Sequence, residues 1–129
     1  MYCLDTSVIV EFLRGNKEVI KKMQETLDEN EVFITPITLC ELFQGAYLLK
    51  NAEDKVSIIK NTIEGFGLLT FSVDVSLEFG KEYARLRKLG KMIPEFDLVI
   101  GCFAKTNDLV LITRDKKHFE NLNLKVEIW

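Results

Sequence analysis

Short apolar runs alternate with longer amphipathic segments along this chain, and the alternation limits it to one class of fold. The run LVLIT at 109–113 is almost wholly apolar, as in a strand buried on both faces of a sheet. Strands that alternate with helices form a mostly parallel sheet covered on both sides. The sequence therefore predicts a single α/β domain over residues 1–129, with three layers and a central sheet of four or five strands. The predicted strands are 2–4, 31–35, 68–72, 109–113 and 124–128.

The segments between these runs carry apolar residues at helical spacing. The longest predicted helix is expected to bury Leu77, Phe79, Tyr83 and Leu86 and to end at Gly90, a residue suited to a helix C-cap. Pro94 is expected to open the following helix. The predicted helices are 8–13, 18–29, 38–50, 54–66, 75–89 and 95–105, with a turn or short helix at 115–120.

Composition excludes several classes of protein. Seventeen Lys and Arg against twenty Asp and Glu give a net charge of −3, which argues against broad wrapping of nucleic acid. A small basic groove, or an acidic site that holds cations, stays compatible with this charge. No apolar run approaches the ~18 residues of a membrane helix, and no basic segment precedes the first apolar run. We therefore expect a cytoplasmic protein without a membrane segment.

The three cysteines, Cys3, Cys40 and Cys102, lie far apart inside apolar segments and lack the C-x-x-C spacing of a zinc site. We expect all three to be buried, reduced thiols. His118 is the single histidine, so a zinc site built on histidines is excluded. Its neighbours predict a surface or packing residue rather than a catalytic base.

Four acidic residues stand where a predicted strand ends or a predicted helix begins: Asp5, Glu41, Asp97 and Asp115. In a parallel sheet, Asp5, Glu41 and Asp115 would emerge at one edge, where the sites of open α/β sheets are built. Each residue also has a simpler interpretation. Asp5 and Asp115 have the position of helix caps, and Asp97 has that of an acid interacting with a helix dipole. Thr38 and Glu41 have the spacing of a capping box.

Convergence of these acids would have a chemical consequence. Carboxylates held close together cannot all stay ionised without compensation, and oxygen ligands favour Mg²⁺ or Mn²⁺. Such an ion can make a water nucleophilic, hold a phosphodiester and stabilise a leaving oxygen. The hydroxyls of Thr6, Ser7 and Thr113 would then orient water or a ligand beside the metal. Their simpler interpretations are helix capping for Thr6 and Ser7 and a strand-end hydroxyl for Thr113.

Four motifs in order resemble the PIN domain family: LDTS at 4–7, TLCEL at 38–42, IPEFDLVIG at 93–101 and LITRDKKHF at 111–119. By its length the chain looks like the VapC-type ribonuclease toxins of toxin–antitoxin pairs. The resemblance implies a Mg²⁺- or Mn²⁺-dependent endoribonuclease that forms a homodimer and is blocked by a small antitoxin. By position, Asp5, Glu41, Asp97 and Asp115 match the acidic quartet of that family, and Thr6 and Thr113 match hydroxyl positions beside it.

Basic residues suit a modest RNA track. Arg14 follows the first helix, and Arg114 stands where many members of the resembled family carry Asn, so it could alter how substrate phosphate is held. A further basic cluster precedes Asp97. It is as compatible with a solvated helix face as with an RNA contact. Its members are Arg85, Arg87, Lys88 and Lys91.

Three other functions compete with the nuclease. A non-catalytic PIN-fold module that binds RNA or protein would be favoured by an incomplete quartet, whereas the quartet here is complete. An aspartyl-phosphate phosphatase would need a second Asp where Ser7 stands. A receiver domain would need an acidic pair after the first strand, whereas Asp5 is solitary.

Overall fold

The computed structural model of the chain describes all residues, 1–129, and contains one five-stranded sheet. All neighbouring strands run parallel, in the order β3-β2-β1-β4-β5. Seven helices connect or flank the strands, so the predicted α/β class is confirmed. The strands are β1 Tyr2–Leu4, β2 Val32–Ile34, β3 Gly67–Leu68, β4 Val110–Thr113 and β5 Val126–Ile128. The helices are α1 Thr6–Leu13, α2 Lys17–Glu29, α3 Pro36–Tyr47, α4 Ala52–Ile63, α5 Val73–Leu89, α6 Glu95–Thr106 and α7 Lys116–Phe119.

The sheet has a hydrophobic core on each face. Cys3 and Leu111 project into a cluster formed with α5, α6 and α7. Leu4 and Ile112, their neighbours in sequence, project into a second cluster formed with α1 to α4. Successive side chains of a strand point to opposite faces, so the apolar runs of β1 and β4 supply both cores. The result is the three-layer arrangement that the sequence predicts.

The register of β1 and β4 brings two strand ends together. Leu4 pairs with Ile112, and the amide of Asp5 donates to the carbonyl of Ile112 at 2.9 Å. From β1 the chain proceeds to β2 on one side of the sheet, and β4 is added on the other side. The carboxyl ends of β1 and β4 therefore form the crevice where ligands bind in open α/β sheets.

The start of α3 differs from the prediction. Thr35 caps the helix by accepting a hydrogen bond from the Thr38 amide at 3.0 Å, and Pro36 occupies the first helical turn. Pro tolerates this position because its missing N–H would have no helical partner. The helix thus begins two residues earlier than predicted. Because Thr38 lies inside the helix, the capping-box interpretation of Thr38 and Glu41 is wrong.

The segment from β3 to α5 also departs from the prediction. The strand expected at 68–72 is only two residues long, and Ser72 instead caps α5 by accepting from the Val75 amide. Leu77, predicted to be buried, is 61% exposed, whereas Glu82 is buried on the core side of α5. Gly90 ends the helix in the left-handed conformation, φ 65°, which confirms its prediction as the C-cap.

Two of the three cysteines lie where they were expected. Cys3 and Cys102 are buried, and burial raises the pKa of each thiol to about 12. Cys40 is exposed on α3, so its predicted burial is wrong. No helix has the combination of length and hydropathy that a membrane span needs.

Candidate active site

A cavity of about 400 Å³ opens at the carboxyl ends of β1 and β4. Only one of its lining residues, Val10, is hydrophobic, so the cavity suits an ionic or strongly polar ligand. The lining comes from α1 and the residues at its two ends, from α3, from the first turn of α6, from the segment that joins β4 to α7 and from α7 itself. All four predicted acids are among these residues, which are Asp5, Thr6, Ser7, Val10, Glu11, Arg14, Glu41, Asp97, Arg114, Asp115 and His118.

Asp5 is the most enclosed acid of the cavity, with 4% of its surface exposed. Its Oδ2 accepts hydrogen bonds from the hydroxyls of Ser7 and Thr113, each at 2.7 Å. Its Oδ1 accepts from the Thr6 amide at 2.9 Å, so Asp5 also caps α1. The helix-cap and cavity interpretations of Asp5 are therefore compatible. Three donors therefore hold the Asp5 carboxylate in a fixed orientation.

Thr6 connects Asp5's helix to the second acid. Its hydroxyl donates to Oε1 of Glu41 at 2.7 Å, across the contact between α1 and α3. Burial raises the pKa of the Glu41 carboxyl, and the negative charges of Asp97 and Asp5 raise it further, while the hydrogen bond from Thr6 opposes them. The carboxylates of Asp5 and Asp97 are therefore close enough to Glu41 for their charges to disfavour its ionisation.

His118 joins the third and fourth acids. Its Nδ1 is hydrogen-bonded to Oδ2 of Asp97 and lies 3.0 Å from Oδ2 of Asp115. Burial, followed by the charge of Asp5, raises the pKa of the Asp97 carboxyl, whereas the imidazole of His118 lowers it. His118 is thus a partly exposed residue that lines the cavity and contacts two of its acids, and the sequence-based interpretation as a surface or packing residue did not include this contact. It stands three residues after Asp115, and residues at this spacing on α7 share one face.

Glu11 is a fifth acid of the cavity that the sequence-based prediction missed. Its Oε1 accepts a hydrogen bond from the Arg14 guanidinium at 3.1 Å, and its Oε2 accepts one from the side-chain amide of Asn16, also at 3.1 Å. These two hydrogen bonds, with a smaller contribution from the charge of Arg114, lower the pKa of the Glu11 carboxyl. The signal available in the sequence was helical spacing, because Glu11 stands four residues after Ser7 on α1.

Hydroxyl groups also fix the loop that carries Asp115. Thr113 does not line the cavity, but its oxygen accepts from the Asp115 amide at 3.0 Å while its hydroxyl donates to Asp5. Ser7 accepts from the Arg114 amide at 3.1 Å. The three hydroxyl residues singled out by the sequence thus orient Asp5, Glu41 and the loop after β4.

Of the basic residues, Arg14 and Arg114 line the cavity, whereas the cluster from Arg85 to Lys91 does not. Arg85 binds Glu82 and the carbonyl of Asn121, so it serves the packing of α5. The cluster at 85–91, which the sequence left open between an RNA contact and a solvated helix face, therefore does not line this cavity.

The donor set of the cavity fits a hard divalent cation. Its acids supply only carboxylate oxygens, and two of these acids have raised pKa values because burial and neighbouring charges oppose their ionisation. In the structure, however, no three His, Cys, Asp or Glu side chains are placed to hold one ion together. Mg²⁺ does not need three such ligands, since it keeps several waters and takes one or two protein carboxylates.

Comparison with known proteins agrees with this fold. The profile of the PIN domain family matches residues 2–124. Ribonuclease VapC1 of Methanocaldococcus jannaschii is 32% identical over 119 residues, which cover 92% of this chain and 79% of that protein. Ribonuclease VapC1 of Haemophilus influenzae strain R2866 is 29% identical over 131 residues, covering 100% of this chain and 98% of that protein.

A solved structure, VapBC2 from Rickettsia felis bound to a promoter DNA fragment, contains a similar chain with a TM-score of 0.93. The two chains are 25% identical, and the alignment covers 99% of this chain and 98% of that one. The chain therefore belongs to the PIN domain family. Within that family it groups with the VapC proteins, in agreement with the four sequence motifs.

Proposed function

We propose that the protein is a metal-dependent endoribonuclease of the VapC type, whose activity an antitoxin blocks. The observation that carries the proposal is the meeting of Asp5, Glu41, Asp97 and Asp115, from four separate segments, in one polar cavity. Relatives across nearly the whole chain are named ribonucleases, and similar solved chains belong to VapBC complexes. A phosphodiester backbone is the feature that all RNA substrates share, so the proposal does not depend on one RNA sequence.

In this proposal, Asp5, Glu41 and Asp97 surround Mg²⁺ or Mn²⁺, with one or two of them binding the ion directly and the rest acting through its waters, and Asp115 completes the set or serves a second ion. When bound, a divalent cation supplies charge compensation for the phosphodiester and a route to a nucleophilic water. Thr6, Ser7 and Thr113 keep the carboxylates in place through the hydrogen bonds described above. Arg14 and Arg114, in the same cavity, provide positive charge for the phosphates of the RNA strand.

A non-catalytic PIN module that binds RNA or protein is the alternative. Such a module has no need of a complete acidic quartet or of the hydrogen bonds that orient Asp5. The deep burial of Asp5 beneath a polar cavity favours the enzyme, because burying a charge costs free energy and a mere binding surface has no need to bear that cost.

Cleavage of RNA by the purified chain tests the proposal. Wild type is expected to cut RNA in the presence of Mg²⁺ or Mn²⁺ and to stop when EDTA is added. Asp5→Asn keeps the size of the side chain and removes its charge, so the variant should fold and should not cut. An Asp5→Asn variant that cuts at the wild-type rate would remove Asp5 from the mechanism, and cleavage that persists in EDTA would remove the metal.

A second cavity, of about 340 Å³, suits the antitoxin. It adjoins the acidic cavity, shares Val10, Arg14 and Glu41 with it, and is otherwise mostly apolar. A partner with an apolar helix could bury side chains there and reach the acids next to it. Ile58 lines this cavity and is 48% exposed. We expect Ile58→Asp to keep RNA cleavage and to weaken inhibition by the antitoxin; unchanged inhibition would exclude this docking site.

The proposal also includes a cytoplasmic homodimer made of one PIN domain per chain. Large apolar side chains remain exposed at the end of α3, where Tyr47, Leu48 and Leu49 are 63%, 82% and 50% exposed. Exposed apolar surface of this kind is used for contacts between proteins. Size-exclusion chromatography with light scattering gives the mass directly, and a monomer at micromolar concentration would contradict the dimer.

A further inference from the structure

His118 occupies a place between two of the four acids. Its Nδ1 bonds to Oδ2 of Asp97 and lies 3.0 Å from Oδ2 of Asp115. An ionised carboxylate only accepts hydrogen bonds, so the imidazole nitrogen is the donor to Asp97. Asp97 lies in the first turn of α6 and Asp115 precedes α7, which means that one imidazole connects the two segments that carry these acids.

The contact leaves part of each acid free. His118 uses Oδ2 of Asp97 and faces Oδ2 of Asp115, and the protein donates no hydrogen bond to Oδ1 of either residue. A carboxylate that binds a metal through one oxygen commonly accepts a hydrogen bond through the other, and this bond fixes the orientation of the ligand. Asp5 and Glu41 obtain such bonds from hydroxyl groups, whereas Asp97 obtains its bond from His118.

We propose that His118 is a positioning residue for the metal site, which orients Asp97 and Asp115 through its Nδ1 so that their remaining oxygens are available to the cation. The inference rests on the proposed function, because it assumes that these acids bind the metal. It assigns His118 no contact with RNA and no transfer of a proton.

Two substitutions separate this role from simple packing. In His118→Asn, the side-chain amide nitrogen is attached to Cγ, as Nδ1 of histidine is, so a donor remains near Asp97. The amide nitrogen in His118→Gln lies one bond farther out, where Nε2 stood, and the donor near Asp97 is lost. His118→Ala removes every donor. The neighbouring exposed residue Lys117 provides the control, Lys117→Ala.

Mn²⁺ binding, measured by calorimetry or by the electron paramagnetic resonance of free Mn²⁺, tests the proposal without RNA. Loss of a hydrogen bond that supports a metal ligand typically costs ~10–100-fold in metal affinity. We expect this loss in His118→Ala and His118→Gln, whereas His118→Asn and Lys117→Ala should remain close to wild type. Thermal melting in EDTA shows which variants are folded. If His118→Ala does not fold, the comparison of His118→Asn with His118→Gln still tests whether a donor at the Nδ1 position supports metal binding.

The outcomes separate the two proposals. If wild type binds Mn²⁺ and both His118→Ala and His118→Gln bind it equally well or more tightly, the positioning role is wrong and the metal-dependent nuclease stands. If the Asn and Gln variants lose affinity equally, the donor at Nδ1 is not what matters, and the proposal also fails. If wild type itself does not bind Mn²⁺ at millimolar concentration, the proposed function and the inference fail together.

Discussion

The hydroxyl of Thr113 donates a hydrogen bond of 2.7 Å to Oδ2 of Asp5, although 108 residues separate them in sequence. Parallel pairing of β1 with β4 produces this contact, because it places the residues that follow Leu4 and Ile112 side by side. The same oxygen of Thr113 accepts from the amide of Asp115. One buried hydroxyl therefore links Asp5 to Asp115, the first and last of the four predicted acids.

Thr113→Val tests this link, because valine keeps the shape of threonine and lacks the hydroxyl. We expect a loss of about 1–3 kcal/mol in the free energy of unfolding, since a buried carboxylate and a backbone amide both lose a partner. RNA cleavage should fall as well, because Asp5 loses one of the bonds that orient it. Thr113→Ser keeps the hydroxyl and should retain most of the stability and most of the cleavage activity. Urea titration measures the free energy of unfolding, and initial rates measure cleavage. Equal stability of the Val and Ser variants would contradict the link.

Glu41→Gln is expected to stabilise the protein at neutral pH in the absence of metal. Burial raises the pKa of Glu41, so the folded state binds its proton more tightly than the unfolded state does. The stability from this proton is fully present below the ordinary pKa of 4.5 and is lost as the pH rises through the folded value. Glutamine is uncharged at every pH and can still accept a hydrogen bond from the Thr6 hydroxyl.

Melting temperatures in EDTA at about pH 5 and about pH 7.5, values chosen to span the titration of a raised carboxyl, check this expectation. The advantage of Glu41→Gln over wild type should be largest at the higher pH and should shrink at the lower one. Glu53→Gln changes an exposed acid of α4 and serves as the control. A melting temperature below wild type at the higher pH would show that the negative charge of Glu41 stabilises the fold.

Arg14→Ala should weaken the binding of RNA to a similar extent for all sequences. The side chain of Arg14 lines the acidic cavity and is 71% exposed, so its guanidinium can reach a phosphate. Removing one phosphate contact lowers the slope of log affinity against log salt by about 1. Binding is measured in an Asp5→Asn background to prevent cleavage. Lys21→Ala removes a positive charge from α2 outside the cavity and should leave the slope unchanged; equal effects of the two substitutions would rule out a specific role for Arg14.

Glu82→Ala should destabilise the fold and leave the metal site intact. Glu82 is buried on α5, accepts two hydrogen bonds from Arg85, and lies 3.4 Å from the ammonium of Lys105 on α6. Removing the acid leaves two partly buried cations without this partner, and we expect a loss of about 1–3 kcal/mol. Glu18→Ala breaks an exposed pair with Lys22 and should cost less than about 0.5 kcal/mol. An Mn²⁺ affinity that falls in Glu82→Ala would contradict the separation of the two regions.

The predictable part of the fold is the part fixed by hydrophobic pattern. The five apolar runs predicted the five strands, and β4 was the clearest of them because a strand buried on both faces is almost wholly apolar. The segment at 68–72 was the exception, since Ser72 is used to cap α5 and the strand stops at Leu68. Helix α5 shows the same limit. An acid, Glu82, takes a core-side position through its pairing with Arg85 and Lys105, and Leu77 is left exposed.

The site was predictable where topology alone decides position. Asp5 and Asp115 follow neighbouring parallel strands, so their approach requires no knowledge of side-chain packing. Contacts that depend on the angle between helices were not predictable. Glu11 and His118 line the cavity because α1 and α7 present particular faces to it. Helix α3 begins two residues earlier than predicted because the Thr35 hydroxyl accepts a hydrogen bond from the Thr38 amide and caps the helix. Sequence spacing limits such contacts to a few candidates and does not choose among them.

A crystal soaked in Mn²⁺ and measured at the manganese absorption edge tests the central claim most directly. The claim is that Asp5, together with the other acids that meet at the carboxyl ends of β1 and β4, holds the cation that the nuclease needs. We predict an anomalous peak inside the cavity, within bonding distance of carboxylate oxygens from Asp5 and from at least one of Glu41 and Asp97. A cavity without a peak at millimolar Mn²⁺, or a peak bound only to residues outside the cavity, would contradict the claim.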